Sequence, residues 1–177
     1  QLNDQAVGHL TSAVQLGFIT GTFLFALLTI ADRYSPSRVF FICALLGALS
    51  NLGLTLSGNT YLSLVLLRVA TGFFLAGIYP IGMKIAADYF NKGLGKSLGF
   101  LVGALVLGTS FPHLLSGLKL GWDWQKVLWI TSGVACVGGL SMWLLVTDGP
   151  YRKKSQQIDL GAIRKIFRER EFRSTAF

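Results

Sequence analysis

The chain has 177 residues, of which 52% are hydrophobic, 14% are charged and 21 are glycine. A soluble domain carries about 25% charged residues, so the composition excludes an ordinary aqueous globule, and it excludes disorder, which needs low hydrophobicity. Two cysteines exclude a disulfide scaffold, and the net charge of +8 leaves a nucleic-acid partner open until the charges are placed.

Five apolar stretches follow one another, at about 8–31, 39–56, 61–87, 98–118 and 127–146, each close to the roughly 20 residues that a helix needs to cross a bilayer. The first holds Gln15 and carries Gly17 and Gly21 four residues apart. A charged loop, Asp32-Arg33-Tyr34-Ser35-Pro36-Ser37-Arg38, separates it from the second, which contains Asn51. Ser57 to Thr60 is a short neutral loop. The third stretch is interrupted by the cations Arg68 and Lys84 and contains Pro80. The loop from Asp88 to Lys96 carries Lys92 and Lys96. Gly95, Gly99 and Gly103 lead into the fourth stretch, which holds Pro112 and His113. After the fifth come Arg152, Lys153 and Lys154.

The expected organisation is an all-α bundle of five spans over 1–148 and a basic linker over 149–177. In that tail Leu160, Ile163, Ile166 and Phe167 fall at helical spacing among Arg164, Lys165, Arg168 and Arg170. This is the pattern of an amphipathic helix at a membrane surface; a solvated basic linker is the alternative. Lys and Arg favour the cytoplasmic side, which places the loops at 32–38 and 88–97 and the 149–177 tail inside. The positive charge therefore flanks membrane spans, and no nucleic-acid partner is expected. An outside N-terminus with no signal peptide before it predicts one more span upstream, in a longer protein.

No catalytic cluster is legible, and no enzyme is expected. His9 and His113 have no Cys or carboxylate at ligand spacing, so no metal site is expected. Gly93-Leu94-Gly95-Lys96-Ser97 lacks the leading glycine of a phosphate-binding loop and follows no strand. Arg68 stands out because a cation within an apolar span costs about 2.5 kcal/mol or more. It serves either an anionic substrate or proton-coupling group, or it snorkels to the headgroups. Lys84 is expected to snorkel or to pair with Asp88 four residues on. Asp32 and Arg33 are either a boundary charge pair or part of an inner-face cluster that holds one conformation. Glycines at four-residue spacing make flat helix faces, for sliding or for plain packing. Pro80 and Pro112 predict bends. Asn51, Gln15 and His113 are expected to form inter-helix hydrogen bonds.

The loop Asp32 to Arg38 resembles the Gly-x-x-x-Asp-Arg-x-Gly-Arg-Arg/Lys motif of the major facilitator superfamily, with Asp32 and Arg33 at its most characteristic positions and Arg38 as the basic residue near its end. Leu28, Ser35 and the pair Pro36-Ser37 depart from it. Arg68, Gly72, Gly77, Pro80 and Lys84 resemble the spacing of the family's fourth helix, particularly in its organic-anion carriers. Gly99 to Pro112 is similar to its fifth helix, with Phe111-Pro112 in place of the usual Gly-Pro. The resemblance implies a twelve-helix fold of two halves around a midplane site, of which this chain supplies helices two to six and the linker. It implies a secondary transporter of a small solute by alternating access, coupled to protons, with an organic or inorganic anion as substrate. Its partners would be that solute, protons, the lipid bilayer and the second half, in a bacterial inner membrane, without a cofactor. By the same resemblance, Asp32, Arg33 and Arg38 belong to a cytoplasmic gate with Asp88 as partner, and Arg68 acts in substrate or proton coupling. A non-transporting membrane scaffold or sensor, whose tail binds a cytoplasmic partner, is the alternative.

Overall fold

In hydrocarbon no water is present to satisfy a peptide group, so an apolar run must bond internally as a helix. The computed structural model describes residues 4–117 and 123–152. Among these the helices are α1 (Asp4–Leu27), α2 (Ile30–Arg33), α3 (Pro36–Gly53), α4 (Tyr61–Leu75), α5 (Tyr79–Tyr89), α6 (Leu94–Gly117) and α7 (Trp124–Leu145). Five segments are long and apolar enough to cross a membrane, with α4 and α5 together forming one of them. The amphipathic tail expected at 149–177 lies, beyond Arg152, outside the described residues.

Local chemistry sets the helix ends. Thr29 adopts a left-handed φ of 46°, which turns the chain out of α1 and into the single turn of α2 that carries Asp32 and Arg33. Pro36 opens α3, where its missing N–H removes no helical bond. Asn59 closes α3 by donating its amide to the carbonyls of Gly53 at 2.9 Å and Leu56 at 3.1 Å. The Thr60 hydroxyl caps α4 by accepting from the Ser63 N–H at 3.3 Å.

The third span is not one helix. At its middle the bonding shortens: Gly77 N–H donates to Phe74 O and Ile78 N–H to Leu75 O, both at 3.0 Å. Pro80, in the first turn of α5, supplies no N–H and its ring would collide with the carbonyl one turn back. The other bend expected from proline is not a break, since α6 continues through Pro112 to Gly117.

The most extensive interface joins α1 to α4, followed by α3 on α7 and α3 on α4. Glycine makes the first possible. A Cβ on Gly17 would strike the Val69 carbonyl, and one on Gly72 would strike the Val14 carbonyl, so the two backbones touch reciprocally. One turn further, a Cβ on Gly21 would lie 2.6 Å from Phe73 O. Gly77 sits just as tightly, against Cys43 and the Phe25 ring. The α1–α4/α5 pair is also fastened at both ends: His9 Nδ1 meets the Tyr61 hydroxyl at 3.0 Å, and Asp32 meets Lys84 at 2.9 Å.

Gly95, Gly99 and Gly103 differ from the glycines of α1 and α4. No described residue comes within 4 Å of a Cβ built at any of them. Helix α6 packs on α5 and lightly on α7, and none of its most apolar stretch is buried. Spacing made this face flat, but no described helix lies on it. The buried apolar centre lies between α3 and α5, in Val39, Cys43, Ile81 and Ile85.

Candidate functional site

Two places gather side chains that can do chemistry. The first is a cavity of about 350 Å³ lined by residues of α1, α3, α4, α6 and α7. Helix α3 turns Ala44, Gly47, Ala48 and Asn51 toward it, at the three- and four-residue spacing of a single helix stripe. The small side chains leave the room, and Asn51 supplies the polar end. Arg68 and Thr71, three residues apart on one face of α4, and Thr131 and Ser132 of α7 complete the polar lining.

The bonding inside this cavity is specific. Asn51 Nδ2 donates to Ser132 Oγ at 3.0 Å, which ties α3 to α7, and Ser132 is only 2% exposed. Thr71 Oγ1 donates to the Leu67 carbonyl at 2.8 Å, and Thr131 Oγ1 to the Val127 carbonyl at 2.9 Å. Arg68 is half-buried, and among the described residues no carboxylate pairs with it. Asn51 forms the inter-helix bond expected of it. Gln15 and His113 are exposed and make none among the described residues.

The second place is the end of the bundle that carries the 32–38 loop. Lys84 is its hub. Its ammonium lies 2.9 Å from Asp32 and 3.4 Å from Asp88. Asp88 is 6% exposed, and its second oxygen has no hydrogen-bond partner among the described residues. It shares a tight corner with Pro36 and Ser37, so the N-terminal turn of α3 also faces this carboxylate. The segment that leaves α7 straps over this corner. Tyr151 N–H donates to Asp88 O at 3.0 Å, and Gly149 lies so close to the Asp88 backbone that a Cβ would not fit. Arg152 pairs with Asp148 and donates to Tyr34 O at 2.8 Å, while Ser35 donates to Asp148 at 2.8 Å. The Tyr89 hydroxyl adds a bond to Thr147 O at 2.7 Å.

Of the residues singled out in the loop, the structure brings Asp32 and Asp88 together, through Lys84. Arg33 and Arg38 are exposed and form no ion pair among the described residues. Sequence reasoning paired Lys84 with Asp88 and Asp32 with a basic residue of an adjacent helix, without naming Lys84 as the residue that serves both. It also missed Thr71, Thr131 and Ser132 in the cavity, and Asp148 and Arg152 in the strap. The four-residue spacing of Asp148 and Arg152 was the available signal for the last pair.

Membrane-length helices, a half-buried cation lining a cavity between the helices and a charged clasp at one end define a polytopic membrane protein. The chain belongs to the Major Facilitator Superfamily, whose family model matches residues 1–177. It is similar to a probable L-galactonate transporter of Escherichia coli (strain K12), 27% identical over 111 residues that make up 62% of this chain and 23% of that protein. It is also similar to the MFS-type transporter R5 of a Phoma species, 28% identical over 102 residues, 56% of this chain and 19% of that protein. The chain thus aligns with less than a quarter of either relative's length. No solved structure matches it.

Proposed function

We propose that the chain is the greater part of one half of a secondary transporter that moves a small organic anion by alternating access. One observation carries this reading: Arg68 lines an open cavity between the helices with no carboxylate beside it among the described residues. A cation held at that depth is expensive and needs a counter-charge, and an anionic solute supplies one. A relative named as a probable L-galactonate transporter supports the choice, because galactonate is a carboxylate. Transport is driven by protons, and the second half closes the far side of the cavity.

The clasp at the 32–38 loop is the cytoplasmic gate element, with the loop, residues 88–97 and the tail on the inner face of a bacterial inner membrane. Asp32, Lys84 and Asp88 lie within the same half and brace it. Their role is to present the loop in one orientation to the second half. Uptake of radiolabelled organic anions by cells expressing the full-length protein tests the central point. Arg68→Gln is expected to abolish uptake at unchanged membrane abundance, and Arg68→Lys to leave a reduced rate. Unchanged uptake in Arg68→Gln would remove the anion from this site.

A further inference from the structure

At the end of the bundle that carries the clasp, α5, α6 and α7 do not close on one another. They leave an apolar groove made of two adjoining cavities, of about 280 and 320 Å³, that share Gly82, Leu101 and Met142. The groove runs inward to Ile78 and Leu105 and ends outward at Tyr89 and Phe90. The helical rise from Ile78 to Tyr89 is about 16 Å, at about 1.5 Å per residue. That is about half of the roughly 30 Å hydrocarbon core, the depth of a single leaflet. The mouth of the groove is charged. Lys92 lies two residues after Phe90, and Lys96 lies on the first turn of α6, five residues before Leu101. Both are exposed, and neither forms an ion pair among the described residues. The nearby carboxylates are already committed, Asp32 and Asp88 to Lys84 and Asp148 to Arg152. The rim is therefore cationic.

A further helix, the chain's own tail and a lipid compete for such a groove. A membrane helix packs best on small residues, and α6 offers that face in Gly99 and Gly103, about 200° around the helix from Leu101. The groove wall instead presents the long side chains of Leu101, Leu105 and Met142, and flexible side chains of this kind mould themselves to an irregular apolar partner. The tail carries Arg164, Lys165, Arg168 and Arg170, the same sign of charge as the rim. An anionic headgroup has the opposite sign and is drawn to lysines at the membrane surface. We propose that the groove holds one acyl chain of an anionic phospholipid, with its phosphate on Lys92 and Lys96.

The test titrates the full-length protein, delipidated in detergent, with phosphatidylglycerol, with phosphatidylcholine of the same chains and with glycerol 3-phosphate. Native mass spectrometry reads the bound fraction. Phosphatidylglycerol is expected to bind at least about tenfold more tightly than phosphatidylcholine, and glycerol 3-phosphate, which has no chain, not to bind. Lys92→Gln combined with Lys96→Gln should bring phosphatidylglycerol down to the level of phosphatidylcholine. Ala86 lines the groove, and Ala86→Trp should fill it and weaken phosphatidylglycerol at least about fivefold with both lysines in place. Equal binding of the two phospholipids by the wild type would overturn the proposal without any variant. So would glycerol 3-phosphate bound as tightly as phosphatidylglycerol, or phosphatidylglycerol binding indifferent to Ala86→Trp, since neither outcome involves the groove. If Ala86→Trp fails to fold, a diazirine-bearing residue in place of Met142, which both cavities share, reports the occupant in native membranes. An adduct enriched in anionic phospholipid is expected. A cross-link to the 153–177 tail, to another segment of the protein or to a second copy would overturn the proposal.

Discussion

Replacing Gly72 by alanine is a small change with a large expected effect. The new methyl group would point into the Val14 carbonyl oxygen and lie 3.0 Å from the Phe18 N–H. Both obstacles are backbone atoms of α1, so no side chain can swing aside. Helices α1 and α4 would have to separate by about 1 Å or more before the contact reached an ordinary van der Waals distance. Overpacking of this kind costs about 1–3 kcal/mol, and the rigid obstruction places Gly72→Ala toward the upper end. Gly17→Ala meets the Val69 carbonyl from the other side, so the first substitution relieves the second and the double variant should lose less than the sum. Gly138→Ala is the control, because no described residue lies within 4 Å of a Cβ there. It should be neutral or stabilising by up to about 1 kcal/mol, since glycine is a poor helix former. Thermal unfolding of the full-length protein in detergent reads all four. An unfolding midpoint for Gly72→Ala at or above that of Gly138→Ala would refute the close backbone contact.

The clasp yields two further predictions. Lys84→Met removes the cation that serves both Asp32 and Asp88 and leaves Asp88 buried without a partner. Breaking a buried pair in this way costs about 3–5 kcal/mol, and the partial exposure of Lys84 and Asp32 moves the expectation to the lower end of that range. The added substitution Asp88→Asn should recover part of the loss in unfolding midpoint, and no recovery would contradict the pairing. Arg152→Ala releases both Asp148 and the Tyr34 carbonyl. It should raise proteolysis at residues 147–152 at least severalfold; protection equal to the wild type would mean that the strap does not depend on this arginine.

Much of the fold was legible because each span announces itself by length and by the scarcity of charge. The division of the third span was legible too, since Gly77 and Pro80 mark a place where helical bonding cannot continue. Glycine spacing was a weaker guide. It identified a flat face on α1 and another on α6, but Gly17 meets a helix and Gly99 meets no described residue. Spacing fixes the shape of one surface and says nothing about what lies on it. Arg68 stood out because an apolar span has no cheap place for a cation. Thr71, Thr131 and Ser132 did not, because threonine and serine bond to their own helix in lipid and in a cavity alike, and their sequence surroundings are the same in both. Asp88 lies one turn from Lys84 on the same helix, so that pair was legible, whereas Asp32 lies on α2 and only the tertiary fold decides which basic residue it meets.

Solute counterflow with the full-length protein in proteoliposomes tests the central claim most directly, because exchange of labelled for unlabelled solute needs no ion gradient. Vesicles loaded with gluconate should accumulate labelled gluconate, those loaded with sorbitol should not, and Arg68→Gln should abolish the exchange. Exchange of gluconate that survives Arg68→Gln, or equal exchange of the neutral polyol, would contradict a transporter that holds its anionic substrate on Arg68.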